Sequence, residues 1–233
     1  MIIAVGHLPR PSIIAVRMTS EHLFRPALAA LALVLSPGAL SADPEAVHPA
    51  YLRVEAFPPD VVVGLSDNGA WTIYLDGFID ADAAPRLAAV IAQRQVSRAT
   101  VYFNSPGGSL VAGMTLGRLL REHGYATDVG RRSADPRARP GVGVCYSACP
   151  FAFAGGVSRH LAAGSVLGVH RAANRVPVPD ELAFEQLVVS QASVYLAAMG
   201  VGPELATMMT QVPNDQVRLL TREEARRLNL VTD

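Results

Sequence analysis

Three short stretches of this 233-residue chain hold residue types that can act on a carbonyl group. The first is Gly141 to Gly156, GVGVCYSACPFAFAGG, with the polar centre Cys145-Tyr146-Ser147-Ala148-Cys149. It lies between a short β-branched run and an apolar run that opens on a proline, the pattern of a strand turning sharply into a helix. Such a turn holds Ser147 up as a nucleophile, and a serine hydroxyl needs a neighbouring base to take its proton before it can attack. The second stretch is Ser165 to Val169, a strand pattern that ends in His170-Arg171. The third is Ser105-Pro106-Gly107-Gly108, which ends the β-rich run Thr100 to Asn104 and precedes helical spacing at Leu110, Met114, Leu116, Leu119 and Leu120. Taken singly, each has a plainer explanation: small residues fit a tight turn, a histidine caps a strand, and glycines bend a chain. Their order in one chain favours the chemical reading.

Composition removes several other chemistries. All twenty basic residues are arginine, so no Ser-Lys dyad exists within the chain. Formal net charge is zero and the arginines are scattered, which leaves no footprint for nucleic acid and no polybasic membrane patch. Two cysteines without a second pair or a spaced histidine pair make a poor zinc signature, so no metal and no cofactor is expected. Gly107-Gly108 belongs to neither a G-x-G-x-x-G pattern nor a P-loop with its lysine, which argues against a nucleotide. Cys145 or Cys149 as nucleophile is disfavoured because Cys149 precedes a proline at the helix start and because export, argued below, favours oxidation. Ser158-Arg159-His160 reads as a polar surface turn, and His48 and His123 as linker and helix-end residues.

The elements that must position these stretches follow from periodicity. Trp71 to Asp76 alternates as a strand, and Ile79-Asp80 opens a helix through Ile91 with Asp80 or Asp82 as N-cap. Thr100 to Asn104 and the helix after it make a second strand-turn-helix unit, and Tyr125 to Val129 a third strand. Gly130 to Pro140, GRRSADPRARP, reads as a surface loop. Asp180 to Met199 is an amphipathic helix capped by Asp180 and ended by Gly200, with apolar positions at Val188, Ala192, Tyr195, Leu196 and Met199. A short helix starts at Pro203, and Thr221 with Glu224 forms a capping box in the tail. Repeated strand-turn-helix units imply an α/β fold with a largely parallel sheet, whose ligands sit at the carboxyl ends of the strands. Gly107-Gly108, Ser147 and His170 all fall at such ends.

Half of the residues are hydrophobic and 17% are charged, enough for one sizeable core, and we expect a single domain over residues 68–233. Residues 43–67, with several prolines and a short Val61–Val63 run, read as a leader to the domain with one strand. From Met18, a basic stretch (His22, Arg25), an apolar run from Pro26 to Leu35 and the small residues Leu40-Ser41-Ala42 have the form of a signal peptide cleaved after Ala42. Residues 1–17 then form an upstream extension, with Met18 as the natural start. Export to the periplasm or the medium meets an oxidising compartment, where Cys145 and Cys149 can pair across the Ser147 turn. Sequence leaves that pairing open, since a bridge needs Cα atoms roughly 4.4–6.8 Å apart.

In the order of its motifs the chain resembles the Clp protease proteolytic subunit and its crotonase-fold relatives, in particular exported Clp-like proteins with a Cys-x-Ser-Ala-Cys centre. The residues that carry the resemblance are Asn104-Ser-Pro-Gly-Gly108, Ser147 in its small-residue turn, Ala154-Gly155-Gly156, Val169-His170 and the tail from Leu220-Thr221 to Leu230-Val231; together they span Trp71 to Asp233. The resemblance implies a spiral of strand-turn-helix units. Ser147 would attack, His170 would take its proton, and the N–H groups of Gly108 and Ala148 would form the oxyanion hole. It also implies an orienting aspartate three residues before the Leu220-Thr221 pair, where this chain has Val217. Asp215, two residues earlier and on the same face of an extended segment, is the acid that could substitute. Two readings therefore stand: an exported serine hydrolase acting on peptides or proteins, and a catalytically silent binding or assembly module. The family is oligomeric through the segment matching Asp180 to Met199, so a homo-oligomer is expected, and export separates the chain from any ATPase partner.

Overall fold

The computed structural model describes residues 51–59, 69–135, 137–173 and 179–233. The upstream extension, the signal peptide with its cleavage point and the Val61–Val63 run lie outside them. The described chain is a mixed α/β fold with two small sheets. In the first, β1 (Arg53–Phe57), β2 (Trp71–Asp76), β3 (Ala99–Asn104) and β4 (Ala126–Val129) lie in that order. β1 is antiparallel to β2, and the remaining pairs are parallel. The second sheet holds β5 (Val144–Tyr146), β6 (Val166–Val169) and β7 (Arg218–Leu219), with β5 and β6 parallel and β7 antiparallel. The sheets are stitched where β3 ends: Ser105 N–H donates to Val144 O at 2.8 Å and Tyr146 N–H to Ser105 O at 3.0 Å.

Two helices cover the first sheet, α1 (Ala83–Arg94) and α2 (Leu110–Glu122). Leu87, Ile91, Leu116 and Leu120 on them are buried in one core with Ile73, Leu75, Val101 and Phe103 of the strands. α1 starts later than its sequence pattern suggests. Asp80 does not cap it; its carboxylate accepts from Asp82 N–H at 2.8 Å and Leu52 N–H at 3.2 Å and pairs with Arg86. Burial pushes that carboxyl upward, but the bonds from Arg86, Asp82 and Leu52 outweigh it and hold the group below the usual carboxylate range. Asp82 occupies the N-cap position without a side-chain bond.

α3 (Cys149–Ala154) is six residues long and wholly buried, with Phe151 and Phe153 fully enclosed. Burying such a side chain stabilises by about 1.5–3 kcal/mol. α3 comes down on α2 because α2 presents two glycines one turn apart. A Cβ at Gly113 would lie 2.6 Å from the Ala148 carbonyl, and one at Gly117 would lie 1.9 Å from the Tyr195 hydroxyl. That hydroxyl donates to Phe151 O at 2.7 Å, which seats the next helix, α4 (Glu181–Ala198), against α3.

α4 begins as expected, with the Asp180 side chain accepting from Ala183 N–H. Its packing differs from an amphipathic helix. Only Ala192, Tyr195 and Leu196 within it are buried, Val188 is half-buried, and Leu182, Leu187 and Val194 are exposed. The first two turns therefore stand off the core, Val188 and Val189 pack against it, and apolar side chains are left exposed on more than one side. α5 (Glu204–Thr210) and α6 (Arg222–Arg227) complete the chain, and the Thr221–Glu224 capping box forms in full.

Arg159 also departs from the sequence reading. The turn that carries it is not all surface: Arg159 is 2% exposed, and its guanidinium donates to Gly156 O, Asn229 O and Leu230 O at 2.7–3.0 Å. It clamps the C-terminal segment to the turn after α3. His160, beside it, is a surface residue 3.1 Å from the Asp233 carboxylate.

Candidate active site

Ser147 directly follows β5 and adopts φ 61°, a left-handed conformation that side-chain-bearing residues rarely take. Its N–H donates to Gly168 O of β6 at 3.0 Å, which pins the turn to the neighbouring strand. Cys145 and Cys149 form a disulfide across this turn, with Cα atoms 5.1 Å apart, and both are fully buried. The pairing that sequence left open is present, and it encloses the partly exposed Ser147 in a five-residue loop.

The turn Ser105-Pro-Gly-Gly108 lies against Ser147. A Cβ at Gly107 would be 2.5 Å from the Ser147 Cβ and 3.1 Å from the Ala148 nitrogen. Gly108 is held from its other side by Ile79, whose N–H donates to Gly107 O and whose carbonyl accepts from Ser109 N–H, both at 2.8 Å. In a parallel bridge of this kind, the N–H of the residue between the two bonded neighbours points away from the partner strand. Gly108 N–H therefore faces away from Ile79. Among the described residues neither it nor Ala148 N–H has an acceptor. Two neighbouring side chains fix the turn. The Ser105 hydroxyl accepts from Gly107 N–H at 3.1 Å, and Asn104 accepts from Val144 N–H at 3.1 Å while donating to Asp76 at 3.2 Å. The motif was legible in the sequence, but the role of its asparagine and serine as ties between β2, β3 and β5 was not.

His170 directly follows β6, the strand parallel to β5, in a register that pairs Tyr146 with Gly168. Ser147 and His170 thus leave the carboxyl ends of adjacent strands, about 4.8 Å apart by ordinary strand spacing. No hydrogen bond joins their side chains among the described residues. The His170 ring instead contacts its own chain: Nδ1 lies 2.9 Å from Arg171 O, and Arg171 N–H donates to Val212 O at 2.9 Å.

The tail passes beside His170 through β7, where Arg218 pairs with Val169. Extending that register by one residue sets Val217 alongside His170, and Val217 Cγ1 packs so closely on Gly168 that a Cβ there would come within 2.5 Å of it. Asp215 is exposed, and no hydrogen bond or ion pair joins it to His170 among the described residues. The structure brings Ser147, Ala148, Gly107, Gly108 and His170 to one edge and leaves Asp215 outside their contacts.

A cavity of about 590 Å³ lies elsewhere, on the first sheet, lined by Arg98, Tyr102, Asp128, His160 and Asp233 among others. Burial pushes the Asp128 carboxyl upward against the hydrogen bonds it accepts from Val129 and Ala162 N–H. None of the candidate residues lines that cavity. Among the described residues, no helix is long and apolar enough to cross a membrane.

No family model matches the sequence, and no curated protein matches it. Among solved structures the chain is similar to the 1510-N membrane-bound stomatin-specific protease S97A mutant. The match is at 15% identity, covers 69% of this chain and 75% of that one, and has a TM-score of 0.48.

Proposed function

We propose that the protein is an exported Clp-like serine hydrolase of the ClpP/crotonase fold that cleaves peptides or proteins. The observation that carries the reading is the Ser147 turn itself: a serine at positive φ beside two N–H groups, those of Gly108 and Ala148, that have no acceptor among the described residues. Left-handed backbone at a non-glycine residue costs roughly 1–2 kcal/mol, and strain of this kind collects where geometry serves chemistry. In the proposed reaction, Ser147 Oγ attacks the substrate carbonyl as His170 takes its proton. The oxygen that gains negative charge lies between the two N–H donors. Collapse of the intermediate expels the amine, protonated by His170, and water then releases the acyl group from Ser147 by the same route.

The disulfide supports an oxidising compartment and so agrees with export. A second reading, a silent binding or assembly module, draws on Val217 beside His170 and on the lack of a Ser147–His170 hydrogen bond. Labelling with a fluorophosphonate probe separates the two. The hydrolase reading expects covalent labelling of the mature protein across pH 6–9 that Ser147→Ala abolishes. Absence of Ser147-dependent labelling over that range would count against the hydrolase and favour the silent module.

We further propose that α4 seats a second copy of the chain. A helix with apolar residues on several sides needs cover on more than one, and Leu182, Leu187 and Val194 are 66%, 56% and 70% exposed. No nucleic acid and no ATPase belongs to this assembly. Light scattering is expected to give a mass that is a multiple of the chain and to fall to that of one chain in the Leu182→Asp/Leu187→Asp variant. An unchanged mass would remove α4 from the interface.

A further inference from the structure

We propose that the main-chain carbonyl of Arg171 orients His170, in the position where a triad would use a carboxylate. The proposal rests on the reading of Ser147 and His170 as nucleophile and base. A carbonyl oxygen can only accept, so a ring nitrogen 2.9 Å from it must carry the hydrogen. In neutral His170 that places the proton on Nδ1 and the lone pair on Nε2, because the partner of one ring nitrogen sets the state of the other. With Nδ1 engaged by its own chain, Nε2 is the nitrogen left to accept the Ser147 proton. This is the tautomer that a triad aspartate enforces, and an imidazole held in the wrong tautomer loses about 10⁴ in kcat even where the geometry is intact.

The residue that carries this carbonyl is itself anchored. Arg171 N–H donates to Val212 O at 2.9 Å, and Val212, 6% exposed, donates its own N–H to Met209 O at the end of α5. Arg171 is therefore anchored, through the peptide on its N-terminal side, to the end of a helix outside the two strands that carry the nucleophile and base. The arrangement also gives the Val217 position a reading. Val217, in register beside His170, packs its Cγ1 over Gly168 on the side where the Tyr146 ring also lies, an apolar contact that a carboxylate would replace with charge. Arg171 is a positioning residue here, acting through its backbone; its exposed side chain has no part in it.

The test reads the tautomer directly, by nitrogen NMR of the folded protein labelled with ¹⁵N-histidine, at a pH where His170 is neutral. Ser147→Ala serves as a second sample. The expected spectrum shows His170 protonated at Nδ1 and unprotonated at Nε2 in both proteins, since the Arg171 contact does not involve the serine. Protonation at Nε2, or an even mixture, overturns the proposal. Two variants complete it, read by the rate of fluorophosphonate labelling. Asp215→Ala and Val217→Asp are each expected to stay within tenfold of the parent. A loss of tenfold or more in Asp215→Ala would make Asp215 the orienter, and a gain of tenfold or more in Val217→Asp would mean that His170 lacks one; either result overturns the assignment. If the protein is not labelled at all, the hydrolase reading fails, and the NMR result still stands or falls by itself.

Discussion

Replacement of Ser147 by alanine is expected to lower turnover of an activated ester by on the order of 10⁶, the size of effect that follows removal of a nucleophile acting as one unit with its base. The same variant is expected to unfold at the temperature of the parent. Alanine keeps the Cβ and therefore the left-handed strain at φ 61°. Glycine removes it. Relief of about 1–2 kcal/mol, set against about 0.5–1 kcal/mol for the extra freedom of glycine in the unfolded chain, leaves Ser147→Gly more stable than Ser147→Ala by about 0.5–1 kcal/mol. In a domain of this size 1 kcal/mol corresponds to about 2–4 °C in Tm. Calorimetry on the two inactive variants thus measures the strain separately from the chemistry. Stability is held below its optimum at the residue proposed to react, and the Cys145–Cys149 disulfide and the Ser147 N–H to Gly168 O bond keep the turn from relaxing. Turnover that survives in Ser147→Ala would place the nucleophile elsewhere, and a glycine variant less stable than the alanine one would mean that the turn is not strained.

Much of this edge was legible in the sequence because local signals and tertiary contacts agree there. β3 ends at Asn104 and the bend follows at Gly107-Gly108; β5 ends at Tyr146, one residue before Ser147; β6 ends at Val169, one residue before His170. Where local pattern and tertiary contact conflict, the contact wins. Asp80 has the look of a helix cap, yet Leu52 N–H, 28 residues away, and Arg86 claim its carboxylate. β1 was hidden in the stretch read as a leader because it is an edge strand whose alternate residues carry charge. Arg53 and Glu55 there pair with Asp76 and Arg132. Arg159 read as surface because sequence cannot show that three carbonyls, two of them about 70 residues away, converge on its guanidinium. The Arg171 carbonyl had no signal at all: every residue has one, and only folding brings this one to His170.

Gly108→Ala is expected to lower the rate of fluorophosphonate labelling by about 10²–10³, the cost of losing one oxyanion donor. A Cβ at Gly108 would stand 2.2 Å from the Ile79 carbonyl oxygen and 2.8 Å from its carbon and nitrogen, in backbone that cannot retreat without breaking the Ile79 bonds to Gly107 and Ser109. The residue also sits at φ 145°, where alanine is strained even in open space. Both effects push the peptide away from Ile79 and turn its N–H away from the place where the oxyanion would form. Stability is expected to fall by about 1–3 kcal/mol, as for overpacking in a tight site. Gly124→Ala separates the loss of stability from the loss of rate. Gly124 has φ 67°, so alanine is strained there too, but nothing lies within 4 Å of its Cβ position and it sits at the far end of α2. That variant is expected to lose about 1 kcal/mol and to keep its labelling rate. If Gly108→Ala, assayed well below the unfolding temperature of both variants, labels as fast as Gly124→Ala, then the oxyanion is not held by Gly108, and the approach of this turn to Ser147 serves packing alone.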